Sequence, residues 1–218
     1  MRLVLISDTH NRQAQLSLPD GDALVHAGDF TMSGTEKEIR DFGDWLQARP
    51  HAHKIVIAGN HDRLFETDPA RARSLISPHI HYLLDSEVTL DGVRIWGSPW
   101  QPWFMDWAFN LARGEAIAAK WALIPDGIDV LITHGPPLGV GDRTAHGENV
   151  GCADLLAAME RVKPRLSAFG HIHEGYGVYG DKLNVSICDA RYRVFNKPTV
   201  VDIEAGTKPP VIVPESAW

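Results

Sequence analysis

The sequence predicts an α/β protein with mixed sheets, and three observations lead there. Five short, largely apolar runs each end in a turn-forming polar cluster. Helix signals fall between the first of them. A hairpin and two further strand-like runs complete the chain.

The elements follow in order along the chain. Residues 3–6 form the first run, which ends at Asp8, and residues 23–25 the second, which ends at Gly28-Asp29. Thr35 with Glu38 reads as a capping box. Ile39, Phe42 and Leu46 follow at helical spacing until Pro50 stops the helix. Residues 55–58 read as a strand ending at Gly59-Asn60, and Asp68-Pro69 as an N-cap with proline in the first helical position. Residues 88–90 and 93–95 flank Asp91-Gly92, a strong two-residue hairpin signal. Residues 130–132 end at Thr133-His134. Leu155, Leu156, Met159 and Val162 mark one face of a helix ending before Pro164, and residues 166–169 end at Gly170-His171. Strand-like residues 183–187 and 199–203 close the pattern, and a proline-rich tail spans 208–218. With no repeats, low-complexity tracts or charge blocks, residues 1–218 read as one domain.

Composition narrows the function classes. The chain has 21 Lys+Arg against 28 Asp+Glu, a net charge of −7, which argues against a broad nucleic-acid surface. No apolar run approaches the ~18–20 residues that span a bilayer, so no membrane helix is expected. Cys152 and Cys188 are too few for a disulfide framework and read as two reduced, buried thiols. The apolar stretch after Met1 is too short for a signal peptide, so the expected location is the cytoplasm, with the mature chain starting here. Eleven histidines, many beside Asp, Asn or Gly, are the unusual number.

Five polar clusters sit at the predicted strand carboxyl ends: Asp8-Thr9-His10, Gly28-Asp29, Gly59-Asn60-His61-Asp62, His134-Gly135 and Gly170-His171-Ile172-His173. Strand carboxyl ends are where ligand sites assemble in open α/β sheets. Asp8, His10, Asp29, Asn60, His134, His171 and His173 offer two carboxylates, four imidazoles and one amide oxygen. That is too many donors for one tetrahedral zinc and suits two divalent ions sharing a carboxylate. Such ions, about 3.5–4 Å apart, can hold a hydroxide and clamp both oxygens of an in-line phosphoryl displacement. Mixed N/O donors without sulfur favour Mn, Fe, Zn or Co over calcium.

The ordered set D-x-H, GD, GNHD, H and GHxH resembles that of the calcineurin-like metallophosphoesterase superfamily, and within it the metallophosphoesterase-domain-containing branch. Residues 97–104, 134–139 and 169–177 add to the likeness, which runs from Asp8 to at least Asp202. The resemblance implies a four-layer α/β/β/α sandwich with two mixed sheets and the metal site at the strand carboxyl ends. It implies that Asp8, His10 and His173 hold one metal, that Asn60, His134 and His171 hold a second, and that Asp29 bridges them. Because His171 is present, it implies a full dinuclear centre. His61 would protonate the leaving oxygen, and Asp62 would orient and support its imidazole.

Blander readings compete at single positions. Asp-x-His after a strand is more often a turn than a ligand, Asn and Asp tolerate left-handed turns, and His134 before Gly-Pro-Pro could cap a strand. Five such clusters together favour the functional reading. His26 reads as a buried, hydrogen-bonded strand residue, and His51, His53, His79 and His81 as solvated or edge positions. His146 falls in a variable loop. Trp96, Trp100, Trp103 and Trp107, with Phe104, suit a core plug or an oligomer interface better than a stacking wall, with one or two facing the site. Arg12 and Arg143 could meet a phosphate but as isolated loop arginines are more often solvated.

The expected function is a metal-dependent phosphodiesterase acting on small phosphorylated substrates, cyclic nucleotides among them, through a hydroxide held between two transition-metal ions, manganese first. The alternatives are a phosphomonoesterase or phosphoprotein phosphatase and, from a different class, a non-catalytic scaffold, whose ligand set should be damaged. The oligomeric state is open, with a homodimer as candidate.

Overall fold

The structure, a computed structural model, describes residues 1–218. Four parallel strands, β1 (Arg2–Ile6), β2 (Ala23–Ala27), β3 (His53–Ile57) and β4 (His81–Tyr82), build most of the first sheet. The second sheet starts with the hairpin β5 (Ser86–Leu90) and β6 (Val93–Ser98). Asp91 and Gly92 turn it with φ of 49° and 77°, the paired positive values of a type I′ turn. A two-stranded ribbon, β7 (Gln101–Pro102) and β8 (Asn110–Leu111), stands apart. Then come β9 (Val130–Thr133), β10 (Leu166–Phe169), β11 (Gly177–Tyr179) and β12 (Lys182–Asn184). The chain returns to the first sheet as β13 (Thr199–Asp202) and β14 (Val211–Val213).

The sheets have six strands each, ordered β14-β13-β1-β2-β3-β4 and β11-β12-β10-β9-β6-β5. Both are mixed: β13 runs antiparallel to β1, β14 to β13, β5 to β6 and β11 to β12. Within residues 208–218, β14 lies directly after Pro209-Pro210 and adds an edge strand.

Strand alternation makes four layers from these two sheets. Leu3, Leu5, Val25, Ile55 and Ile57 face Val93, Ile95, Val130, Ile132 and Leu166 in a core between the sheets. The intervening residues Val4, Ile6, Leu24 and Val56 point the other way, onto the helix α1 (Glu36–Gln47) through Ile39, Phe42 and Leu46. Two short helices, α2 (Leu64–Thr67) and α3 (Pro69–Ser74), add Phe65 and Ala72 to that outer layer. On the far side Trp96 and Leu131 pack under α4 (Glu115–Trp121) and α5 (Ala153–Val162). Strands buried on both faces need apolar residues at every position, which is why the runs read as continuous and not alternating. The cap signals act as expected: Thr35 Oγ1 accepts from Glu38 N at 3.3 Å while Thr35 N donates to Glu38 Oε2 at 2.9 Å, and Asp68 caps α3 with Pro69 in its first turn. No helix is long and apolar enough to cross a membrane.

The sheets are joined at their carboxyl ends. Ser7 N donates to Val185 O at 3.0 Å, and Ile187 N to Ser7 O at 2.9 Å, so the end of β1 runs beside the chain leaving β12. That junction brings loops of both sheets to one edge.

Candidate metal centre

Loops after β1, β2, β3, β9 and β10 carry the five polar clusters to this edge. Sharp turns are needed to aim successive side chains inward. Asp8, His10, Asp29 and His171 accordingly have left-handed backbone, with φ of 54°, 43°, 57° and 68°. For residues with a Cβ this conformation is strained, and such strain concentrates at functional sites. Two glycines make room. A Cβ on Gly170 would lie 2.0 Å from Asp8 Oδ2, and one on Gly59 would lie 2.3 Å from Asp29 Oδ1.

All seven residues expected as ligands come together here, in two clusters plus a carboxylate that serves both. Asp8, His10 and His173 offer ligand atoms within 4.8 Å of one another, as do Asp29, His134 and His171. Asn60 joins the second group through Oδ1, 2.9 Å from His134 Nε2, and Asp29 Oδ2 lies 3.4 Å from the same nitrogen. On the other side Asp29 Oδ2 is 3.9 Å from His10 Nε2.

Backbone carbonyls fix the tautomers. A carbonyl only accepts, so the ring nitrogen facing it carries the proton. His134 Nδ1 donates to Ala27 O at 3.0 Å, His173 Nδ1 to Asp189 O at 2.9 Å and His10 Nδ1 to Thr31 O at 3.3 Å. Each Nε2 is thereby left to face the site, the usual support for a metal-ligating imidazole. Asp8 is held by Ser186 Oγ at 2.9 Å and by the His171 amide.

The donor chemistry fits divalent ions. His10 Nε2 and His173 Nε2 lie 3.3 Å apart, lone pair toward lone pair unless a cation or a proton stands between. Charge distribution agrees. Burial alone would raise the Asp8 carboxyl, yet His173 and the other imidazoles hold it well below the usual range. Asp29 is lowered in the same way, against its burial, by His134 above all. His134 and His173 are driven up to about 9 despite burial, by Asp29 and by Asp8 respectively. Burial pushes His10 down to about 4 and His171 to about 3. An anionic pair of carboxylates ringed by imidazoles calls for positive charge at its centre.

His61 lies at the cleft floor, with Nε2 3.9 Å from Asp29 Oδ2 and Nδ1 donating to Met32 O at 2.7 Å. The expectation that Asp62 orients this imidazole needs correction. Asp62 Oδ2 accepts from Asp29 N and Gly59 N, and Oδ1 from Thr31 N and Thr31 Oγ1, at 2.7–2.9 Å. Its oxygens are occupied by backbone and hydroxyl donors, and Met32 takes the position expected for it. Burial, then Asp29, pushes Asp62 up to about 7.

A cleft of about 470 Å³ opens above the ligands. Its lining includes Asp29, Asn60, His61, His171 and His173 together with Trp103, Phe104, Arg113, His146 and Tyr192. Of the tryptophans, Trp96 is core, Trp100 donates to Asp85, Trp103 is exposed at the cleft mouth and Trp107 lies against His61. Neither Arg12 nor Arg143 lines the cleft, whereas Arg113, which the motifs do not mark, does. His26 is buried and its Nε2 meets Thr9 Oγ1 at 2.9 Å. His51 is not a solvated position: it is 1% exposed, with Nε2 against Pro19 O at 3.1 Å. Its partner is 32 residues away, so nothing in the neighbouring residues signals the burial. Cys152 and Cys188 are buried and free.

The model of the calcineurin-like phosphoesterase family matches residues 1–175. The chain is 46% identical over 231 residues to Metallophosphoesterase domain-containing protein 1 of Homo sapiens, covering 93% of this chain and 71% of that relative. It is 40% identical over 238 residues to a UPF0046 protein of Caenorhabditis elegans, covering 93% of this chain and 60% of that one. The crystal structure of TT1561 of Thermus thermophilus superposes with a TM-score of 0.56 at 13% identity, over 86% of this chain and 89% of that one. At that identity the likeness is one of fold.

Proposed function

Because this chain belongs to the calcineurin-like phosphoesterase family and is a metal-dependent phosphoric ester hydrolase, we propose that its substrates are small phosphodiesters. The supporting observation is electrostatic. Arg113 is the one arginine or lysine in the cleft lining, and its Nη1 and Nη2 already donate to Gly151 O and Val150 O at 2.6 Å. Beyond the metal-binding residues, the second negative charge of a phosphomonoester would find no free cationic side chain, whereas a diester brings one charge and has two ester arms to lodge in the cleft. A cyclic nucleotide is one such diester.

In this reading Asp8, His10 and His173 would hold one divalent transition-metal ion and Asn60, His134 and His171 a second, with Asp29 available to both. The N/O donor set admits manganese, iron, zinc or cobalt, and manganese is the proposed occupant. Such ions, when bound, supply the activated nucleophile and offset charge at phosphorus. The chain's own contributions are distinct. Asp8 and the imidazoles of His10, His134 and His173, fixed by Ser186 and by backbone carbonyls, would set where the ions sit. His61, its Nδ1 fixed on Met32 O, presents Nε2 to the departing oxygen as general acid. Asp62 is a positioning residue that holds the Gly59 and Asp29 turns.

The deciding experiment offers manganese-loaded protein a panel of aryl monoesters, aryl diesters and 2′,3′- and 3′,5′-cyclic nucleotides. Turnover of diesters well above monoesters is expected. Faster turnover of monoesters would overturn the substrate class.

A further inference from the structure

His61 Nδ1 meets a backbone carbonyl and no carboxylate, so the ring depends on further contacts to hold its aim. The hydrogen bond to Met32 O restrains the ring's rotation about Cβ–Cγ, but it is a single contact at one edge and leaves the ring faces to be held by packing. Three aromatic rings pack around it, Tyr192 the farthest with centroids 6.1 Å apart. The His10 ring meets it edge-on, centroids 4.6 Å apart at 76°, and the Trp107 indole lies 4.1 Å away at 43°. His10 belongs to the ligand set, whereas Trp107 does not.

Trp107 is itself held in place. Its carbonyl accepts from Asn110 Nδ2 at 3.0 Å, and the next residue, Ala108, donates its amide to Asn60 O at 3.2 Å. The first bond closes the loop on itself and the second fastens its backbone to the turn that carries His61, whatever side chain stands at 107. The guanidinium of Arg63 sits 4.6 Å from the centroid of the Trp107 ring, a cation–π contact that orders the indole from the exposed side. Arg63, Trp107 and His61 thus form a stack from solvent to the cleft floor.

We propose that Trp107 is a positioning residue for proton transfer by His61, keeping Nε2 aimed at the leaving oxygen, with Arg63 steadying the indole. This inference rests on the reading of His61 as general acid. In the step concerned, the Nε2–H bond of the imidazolium breaks and an O–H bond to the departing oxygen forms. The P–O bond cleaves with its electron pair on that oxygen, and solvent later returns a proton to Nε2.

Leaving-group dependence tests the inference. Nitrophenolate departs without a proton and an alkoxide does not, so loss of aim matters only for the alkyl ester. Trp107→Ala is expected to slow hydrolysis of an alkyl phosphodiester about tenfold while changing a nitrophenyl diester less than about twofold, a loss within the reach of misplaced acid catalysis. Trp107→Phe, which keeps a ring, should restore most of the rate. In a His61→Gln background Trp107→Ala should add nothing. Apart from activity, the His61 Nδ1–H resonance of metal-free protein should exchange faster with solvent in Trp107→Ala, with metal content after loading unchanged. Equal losses on both esters, no loss on either, or a further loss in the His61→Gln background would overturn the role of Trp107. Should His61→Gln itself slow both esters equally, the general-acid reading falls and takes this inference with it.

Discussion

His10 Nε2 and His173 Nε2 face each other across 3.3 Å, each ring having turned its Nδ1–H to a backbone carbonyl. In metal-free protein a proton must occupy the place of the cation, and His173, driven up to about 9 by Asp8 against its burial, carries it.

The pH dependence of metal-free protein follows from that competition. His134 and His173 sit at about 9, above the value of about 6.5 for an unfolded histidine. A value raised on folding adds stability that is complete below about pH 6.5 and is lost as pH rises through about 9. Asp62, pushed up to about 7, acts with the same sign but completes its change earlier. The melting midpoint of chelator-treated protein should therefore fall between pH 7 and 9, and that of metal-loaded protein should fall less. A flat profile after chelation would contradict the assigned proton on this pair.

Asp62→Asn should weaken the fold and the metal site together. The carboxylate accepts four hydrogen bonds from Asp29, Gly59 and Thr31. An amide turns an NH2 group toward donors, at a cost of about 1–3 kcal/mol for each group left unpaired. Supporting contacts of this kind are worth about 10–100-fold in metal affinity. Calorimetric unfolding and metal titration would measure the two effects. Intact affinity in the variant would show that the two turns hold without Asp62.

Gly170→Ala separates the two halves of the site. The new methyl would collide with Asp8 Oδ2 and with Ser7 Oγ, 2.0 and 2.3 Å away. Neither can retreat easily, since Ser7 Oγ donates to Ala27 O and Asp8 is buried. On the proposed two-ion reading, bound metal should drop from two ions per chain toward one, as read by elemental analysis.

Phe42→Ala probes the layer behind the site. Phe42 stacks on Phe30 with centroids 4.1 Å apart and is fully buried. Its removal should cost about 3–5 kcal/mol in unfolding free energy. Phe30 follows Asp29 directly, so metal affinity should fall as well; unchanged affinity would mean the turn keeps its shape without that packing.

Much of this was legible in the sequence because it is local. The capping box at Thr35 and Glu38, the turn at Asp91-Gly92 and the polar clusters ending β1, β2, β3, β9 and β10 each declare themselves within a few residues. What stayed hidden depends on pairings across the chain. Ser186 meets Asp8 178 residues away, and Met32 accepts the His61 hydrogen bond across 29. A backbone carbonyl has no signature in sequence, so Asp62, adjacent and acidic, was the natural but mistaken partner. Residues 211–213 were hidden by their prolines, although β14 ends an otherwise ordinary sheet edge.

The left-handed backbone of Asp8, His10, Asp29 and His171 carries a consequence for how such a chain can change. Each position costs on the order of 1 kcal/mol that glycine would not incur. A chain selected for robustness alone would drift toward glycine there and lose its donors one at a time. Keeping the donors at these four corners therefore requires selection for activity, because thermal endurance pulls the other way.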